Sequence, residues 1–178
     1  MSNLIIKNAA QVVTCKSNGA KFGKDMSDIN MLENASIVTE NGLIKDIDTS
    51  ENIAKKYDET KYDVIDATNK AVLPGFVDSH THFVFGGYRA DEFSWRLRGD
   101  SYMDIMNRGG GIVNSVTGTR CASEEELIQL GKKRLDEMLS FGVTSVEGKS
   151  GYGLDKETEL KQLRVMKKLN EIHPIDIL

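Results

Sequence analysis

Two histidines one residue apart close an apolar run, Leu73-Pro74-Gly75-Phe76-Val77-Asp78-Ser79-His80-Thr81-His82. Side chains alternate across a β-strand, so His80 and His82 leave the same face and can present two imidazoles to one metal ion. Zinc held by imidazole nitrogens, at about 2.0–2.1 Å, lowers the pKa of a bound water toward about 7 and so supports hydrolysis near neutral pH. Asp78 precedes His80 by two residues and shares its face, where it either hydrogen-bonds a ligand or supports the strand end. Two ligands do not complete a four-coordinate site. The third histidine, His173, stands before Pro174 and reads as a helix-terminal residue. Cys15 and Cys121 belong to no Cys-x-x-Cys pattern and read as reduced, structural thiols of a cytosolic protein. Gly109-Gly110-Gly111 lacks the Lys-Ser/Thr that completes a phosphate loop, which leaves a flexible loop beside the substrate as the better reading.

These residues must be positioned by the elements around them. The amino-terminal stretch reads as antiparallel sheet, in short segments Leu4–Ile6, Gln11–Thr14, Ala35–Thr39 and Gly42–Ile47, with Asn41-Gly42 as a tight hairpin turn. Lys16–Lys24 is a polar loop, Ser50 caps a short helix over Glu51–Tyr57, and Asp63–Ala67 and Ala71–Leu73 return to strand. After His82 come a short helix opened by Ser101 and Asp104, then a polar, flexible loop over Asn114–Arg120. The spacing of Ser123 and Glu126 opens a second helix whose apolar face holds Leu127, Leu130, Leu135, Met138 and Leu139. Val143–Val146 is a strand, and Asp155 opens a helix with Leu160, Leu163, Met166 and Leu169 on one face. Ile175–Leu178 begins another strand. Strand, helix, strand, helix, strand is the order of parallel α/β structure. Such a sheet needs more strands than these, so the chain is expected to be the front part of a longer protein.

The composition narrows the partners. At 178 residues, 39% hydrophobic and 28% charged, the chain is of globular type and long enough for a core. Its net charge of -4 offers no electrostatic footprint for nucleic acid. No run reaches membrane-spanning length, and Met1–Lys7 lacks the pattern of a secretory signal. The charged runs Glu124–Glu126 and Lys132–Arg134 read as exposed helix faces.

Residues 74 to 82 resemble the Pro-Gly-hydrophobic-hydrophobic-Asp-x-His-x-His strand of the amidohydrolases. The resemblance narrows at Phe85–Phe93, at Tyr102–Met106 with Gly109–Ile112, and at Val146–Leu154. It points to the members that hydrolyse 4-imidazolone-5-propanoate to N-formimidoyl-L-glutamate in histidine degradation. It implies an α/β fold with a β-sandwich segment, residues 1–70, ahead of the first βα units of a metal-dependent (β/α)8 TIM barrel, residues 71–178. It implies one zinc or iron ion on His80 and His82, and substrate contacts from Arg89, Tyr152 and, more weakly, Tyr102. Arg89 would grip the substrate's propionate with its planar fork, from the carboxyl end of the first barrel strand. Lys149, beside Glu147, reads as an ordinary ion pair and not as a carbamylated metal bridge. The family's further histidine, aspartate and acid/base residues lie on later strands, so no catalytic residue is expected in this chain. By itself it should be inactive and prone to aggregate through exposed strand edges. A homodimer and a cytoplasmic location are compatible with the resemblance. Another cyclic amidase or a deaminase of the same superfamily, or a non-catalytic metal-binding fragment, is the alternative.

Overall fold

The computed structural model describes residues 3–178; Met1 and Ser2, part of the stretch read above for a targeting signal, lie outside the described residues. The chain divides into two compact units, the first ending at Pro74 and the second running Gly75–Leu178. Both together make a mixed α/β protein. Among the described residues no helix is long and apolar enough to cross a membrane.

The first unit holds β1 (Leu4–Val13), β2 (Met31–Glu40), β3 (Leu43–Thr49), α1 (Ser50–Lys56), β4 (Asp63–Asp66) and β5 (Ala71–Val72). β1 pairs antiparallel with β2, and β2 with β3 through the turn at Asn41-Gly42, whose φ angles of 53° and 80° suit Asn and Gly. The two amino-terminal segments expected from the sequence are one strand. The register slips between Ile6 and Ala9, where Asn8 takes a positive φ of 60°. The sheet is also not purely antiparallel, because β4 and β5 both pair parallel to β1. Thr49, not Ser50, caps α1, accepting from the Asn52 N–H at 3.3 Å, while the Ser50 hydroxyl meets that of Ser36 at 2.9 Å. The apolar sides of β1 and β2 bury Ala9, Val12, Ala35 and Ile37 together.

The second unit contains β6 (Phe76–Thr81), α2 (Ala90–Leu97), α3 (Tyr102–Asn107), α4 (Ile112–Cys121), α5 (Glu124–Ser140), β7 (Val143–Gly148), α6 (Lys156–Ile172) and β8 (Asp176–Ile177). Its strands form one parallel sheet in the order β6-β7-β8. α5 begins with a complete capping box, Ser123 and Glu126 each satisfying the other's backbone N–H. Leu127 and Leu135 of α5, Val146 of β7, and Val165 and Leu169 of α6 meet in one core with Phe83 and Val84. Each such side chain contributes about 1.5–3 kcal/mol on burial.

Three sequence expectations change here. Asn114–Arg120 is not a flexible loop but most of α4, which buries Ser115, Val116 and Thr119. Its polar residues can be buried because the Thr119 hydroxyl donates to the Ser115 carbonyl at 2.6 Å and accepts from the Gly86 N–H at 3.0 Å. Leu160 and Leu163 do not face the core, being 41% and 47% exposed; α6 instead buries Thr158, Gln162, Val165, Met166 and Leu169. Gln162 is tolerated there because it donates to the Val84 carbonyl at 2.7 Å. In the Lys132–Arg134 run, Arg134 turns inward.

Candidate metal and substrate site

The segments leaving β6 and β7 bring four of the five predicted residues, His80, His82, Arg89 and Tyr152, to one end of the parallel sheet. The register between β6 and β7 shifts between Asp78 and Thr81, so the backbone around His80 departs from regular pairing. Asp78 braces that point by accepting from the His80 N–H at 3.2 Å. His82 lies one residue past the strand. The two imidazole rings meet with centroids 5.4 Å apart. Two imidazoles on one tetrahedral ion have centroids roughly 5 Å apart, so the pair fits a shared metal. His82 Nδ1 is moreover buried without a hydrogen-bond partner, a costly state for a ring nitrogen unless something else satisfies it. Among the described residues no group of three or more His, Cys, Asp or Glu side chains gathers around a common point. His173 caps the end of α6. Its Nδ1 accepts from the Ile175 N–H at 3.1 Å and its Nε2 faces Asp136 at 3.3 Å.

The loop after β7 closes over His82. Gly151, at φ 149°, comes so near that a Cβ there would stand 2.9 Å from His82 Cε1. Tyr152 follows, its ring 5.3 Å from that of His82. Glu159 anchors this loop by accepting from the Gly153 and Leu154 N–H groups, both at 2.8 Å. Burial pushes the Glu159 carboxyl up, but hydrogen bonds from Ser150, Leu154 and Gly153 outweigh it and leave the group below its ordinary value. Lys149 pairs with Glu147, and that hydrogen bond holds the Glu147 carboxyl below the usual range.

A cavity of about 260 Å³ is lined by Phe85, Tyr88, Arg89, Ala90, Ser115 and Tyr152. Arg89 stands at the N-cap of α2, a helix for which the sequence reading made no assignment. Its guanidinium lies 3.8 Å from Glu92, a buried carboxylate that also accepts from the Gly111 N–H at 2.6 Å. Arg89 and Tyr152 therefore share one cavity. Tyr102 does not line it; it sits 59% exposed on the first turn of α3. A larger cavity of about 580 Å³, between the Gly86-Gly87 turn, α4 and α5, is lined by none of the predicted site residues.

Sequence reasoning missed Phe85, Ser115 and Arg134. Arg134 sets its guanidinium carbon 3.8 Å over the Phe85 ring and donates from Nη1 to the carbonyls of Phe83 and Phe85 at 2.8 and 2.9 Å. Burial lowers its pKa from the ordinary arginine value. A signal was present, because position 134 follows Leu127 by two helical turns and lies on the same stripe of α5.

The sequence comparisons point to one family and the structural comparisons to a shared fold. A profile described as "Amidohydrolase family" matches residues 63–111. The imidazolonepropionase of Clostridium tetani is 69% identical over 175 residues, 98% of this chain and 42% of that protein. The imidazolonepropionase of Parabacteroides distasonis is 55% identical over 176 residues, 99% of this chain and 42% of that protein. In fold, the chain is similar to a triazine hydrolase variant, with TM-score 0.61 and 18% identity over 96% of this chain and 34% of that one. It is equally similar to the guanine deaminase of E. coli, with TM-score 0.61 and 15% identity over 96% of this chain and 35% of that one. The chain spans about two fifths of the length of the curated relatives it matches. By sequence, these 178 residues are similar to about two fifths of the length of proteins named imidazolonepropionase, and residues 63–111 match the amidohydrolase family.

Proposed function

We propose that this chain carries part of the active site of a metal-dependent hydrolase that opens the cyclic amide of 4-imidazolone-5-propanoate to N-formimidoyl-L-glutamate in histidine degradation. The observation that carries the reading is that Arg89 and Tyr152 line one cavity while Tyr152 also packs on His82. A cation able to grip a carboxylate and a phenol able to hydrogen-bond a ring thus lie beside the two imidazoles.

His80 and His82 would hold one zinc or iron ion, which when bound would polarise the ring carbonyl and activate water. Arg89 binds the propionate through paired N–H donors, which fixes the ring's direction in the cavity. Tyr152 hydrogen-bonds the imidazolone, and the Phe85 and Tyr88 rings exclude water from its flanks. Tyr102 is a further substrate contact only if α3 approaches the cavity. The remaining ligands and the acid/base residues come from outside these 178 residues. In this reading β6, β7 and β8 are the first strands of a (β/α)8 barrel, residues 1–70 belong to a β-sandwich, and the protein works in the cytoplasm, with a homodimer as a candidate assembly.

The test is a chimera in which these 178 residues replace their counterpart in the Clostridium tetani protein, assayed by loss of imidazolone absorbance. Turnover that chelators abolish and zinc or iron restores is expected. Activity on guanine or triazine substrates with none on imidazolone propionate would instead favour a deaminase or another hydrolase, the reading that the fold neighbours leave open.

A further inference from the structure

We infer that Arg134 is a positioning residue for the substrate cavity: by clamping the segment that leaves β6 and bearing on the Phe85 ring, it sets the wall from which Tyr152 works. The inference rests on reading that cavity as a substrate site.

Arg134 comes from α5, whose same stripe supplies Leu127 and Leu135 to the core. A half-buried guanidinium is an expensive choice for that stripe, where an apolar side chain would pack without losing hydration. Among the described residues Arg134 forms no ion pair, so a carboxylate does not explain it. What satisfies it is the backbone of the exit segment, through the carbonyls of Phe83 and Phe85, and the face of the Phe85 ring. Those two carbonyls flank Val84, whose own carbonyl accepts from Gln162 of α6. The three successive carbonyls are therefore held from two different helices. The chain direction after His82 is fixed within a span that has no sheet partner.

The effect reaches the cavity through aromatic contacts. Phe85 stacks on Tyr88 with an interplanar angle of 10° and centroids 6.5 Å apart, and meets Tyr152 at 5.4 Å. Tyr152 then meets His82 at 5.3 Å. Two of the other five residues lining the cavity, Tyr88 and Tyr152, thus pack on Phe85, and Phe85 is gripped at both backbone and ring by Arg134. Misplacement of a substrate-holding wall by about 1 Å can cost up to a hundredfold in rate. Lysine keeps the charge and a donor but cannot lay a planar cation on the ring.

The experiment uses the full-length chimera with Arg134→Met, Arg134→Lys, Phe85→Leu and the Arg134→Met/Phe85→Leu double variant. Arg134→Met is expected to raise KM about tenfold with kcat within about threefold, and Arg134→Lys to recover part of that loss. The double variant should be no worse than about twofold beyond the poorer single variant, because Arg134 acts through Phe85. Amide exchange over residues 83–88 should quicken in Arg134→Met while that of α5 and α6 stays unchanged. A parent with turnover but an Arg134→Met variant of unaltered KM and exchange overturns the inference and leaves the proposed substrate standing. Effects of the two single variants that multiply fully, or a loss of kcat/KM matching the loss of folded protein, overturn it as well. A parent without turnover on imidazolone propionate overturns the substrate reading and this role together.

Discussion

Gly151 lies against His82 so closely that the missing Cβ defines the contact: a methyl there would stand 2.9 Å from Cε1 and 3.2 Å from Nδ1 of the ring. The loop after β7 thereby sets the attitude of a histidine that leaves β6. Gly151→Ala in the full-length chimera is expected to turn His82 away and weaken zinc binding by roughly 10–100-fold, as loss of ligand-orienting contacts does. Competition with a chromophoric chelator measures it, and unchanged affinity would show that the loop yields in place of the ring.

Arg89 lines the cavity with one edge of its guanidinium 3.8 Å from Glu92, an arrangement that leaves other N–H groups free for a carboxylate. Arg89→Lys keeps the charge but loses the two-pronged grip, and should raise KM about tenfold or more while changing kcat little. Steady-state kinetics with imidazolone propionate checks this. An equal fall in kcat and kcat/KM would place Arg89 at the transition state instead.

Glu159 makes the loop that carries Tyr152 sensitive to acid. Its carboxyl is opposed by burial yet held below its ordinary 4.5 by hydrogen bonds from Ser150, Leu154 and Gly153. A folded pKa below the unfolded one means that the stabilisation is complete above the unfolded value and is lost as pH falls through the folded value. Thermal midpoints should therefore drop as the pH is taken below the usual glutamate range. Glu159→Gln should start lower at neutral pH and show a shallower drop; parallel curves for the two proteins would contradict this.

Thr119 shows how a polar residue earns a place in α4. Thr119→Val conserves shape but strands the Gly86 N–H, which the hydroxyl accepts from at 3.0 Å. Destabilisation of about 1–3 kcal/mol is expected in urea titrations, with Thr119→Ser recovering most of it.

Leu135 and Leu139 lie four residues apart on α5, yet one is fully buried and the other 37% exposed. Leu135→Ala should cost about 2–5 kcal/mol and Leu139→Ala less than about 1 kcal/mol. Equal losses in denaturant titrations of the two variants would mean that the core reaches further round the helix.

What could be read ahead of the structure was whatever depends on neighbours along the chain. The capping boxes at Ser101 and Ser123, the Asn41-Gly42 turn and the cap at Asp155 are local hydrogen-bond patterns, and each forms as its residues predict. α4 was illegible for the opposite reason. Asn114–Arg120 carries Ser, Thr and Gly, which favour loops unless a neighbour satisfies them, and the neighbour that bonds Thr119 is Gly86, 33 residues earlier. α6 shows the same limit. Leucine spacing pointed to Leu160 and Leu163, but Gln162 occupies the core because a distant carbonyl at Val84 receives its amide.

By itself, the sequence determined the imidazole pair on one strand end, the alternation of strands and helices after it, and the family that the chain resembles. Those properties follow from alternation of side chains, from caps and from matched motifs, all of which are carried by order along the chain. Only the tertiary structure decided that Arg89 and Tyr152 share a cavity while Tyr102 stands outside it, and that Arg134 supports Phe85 and is not a solvated surface charge. Such pairings join residues far apart in sequence. They are fixed by which polar group is left to be satisfied, and which ring to be covered, when β6, β7 and their helices close on one core.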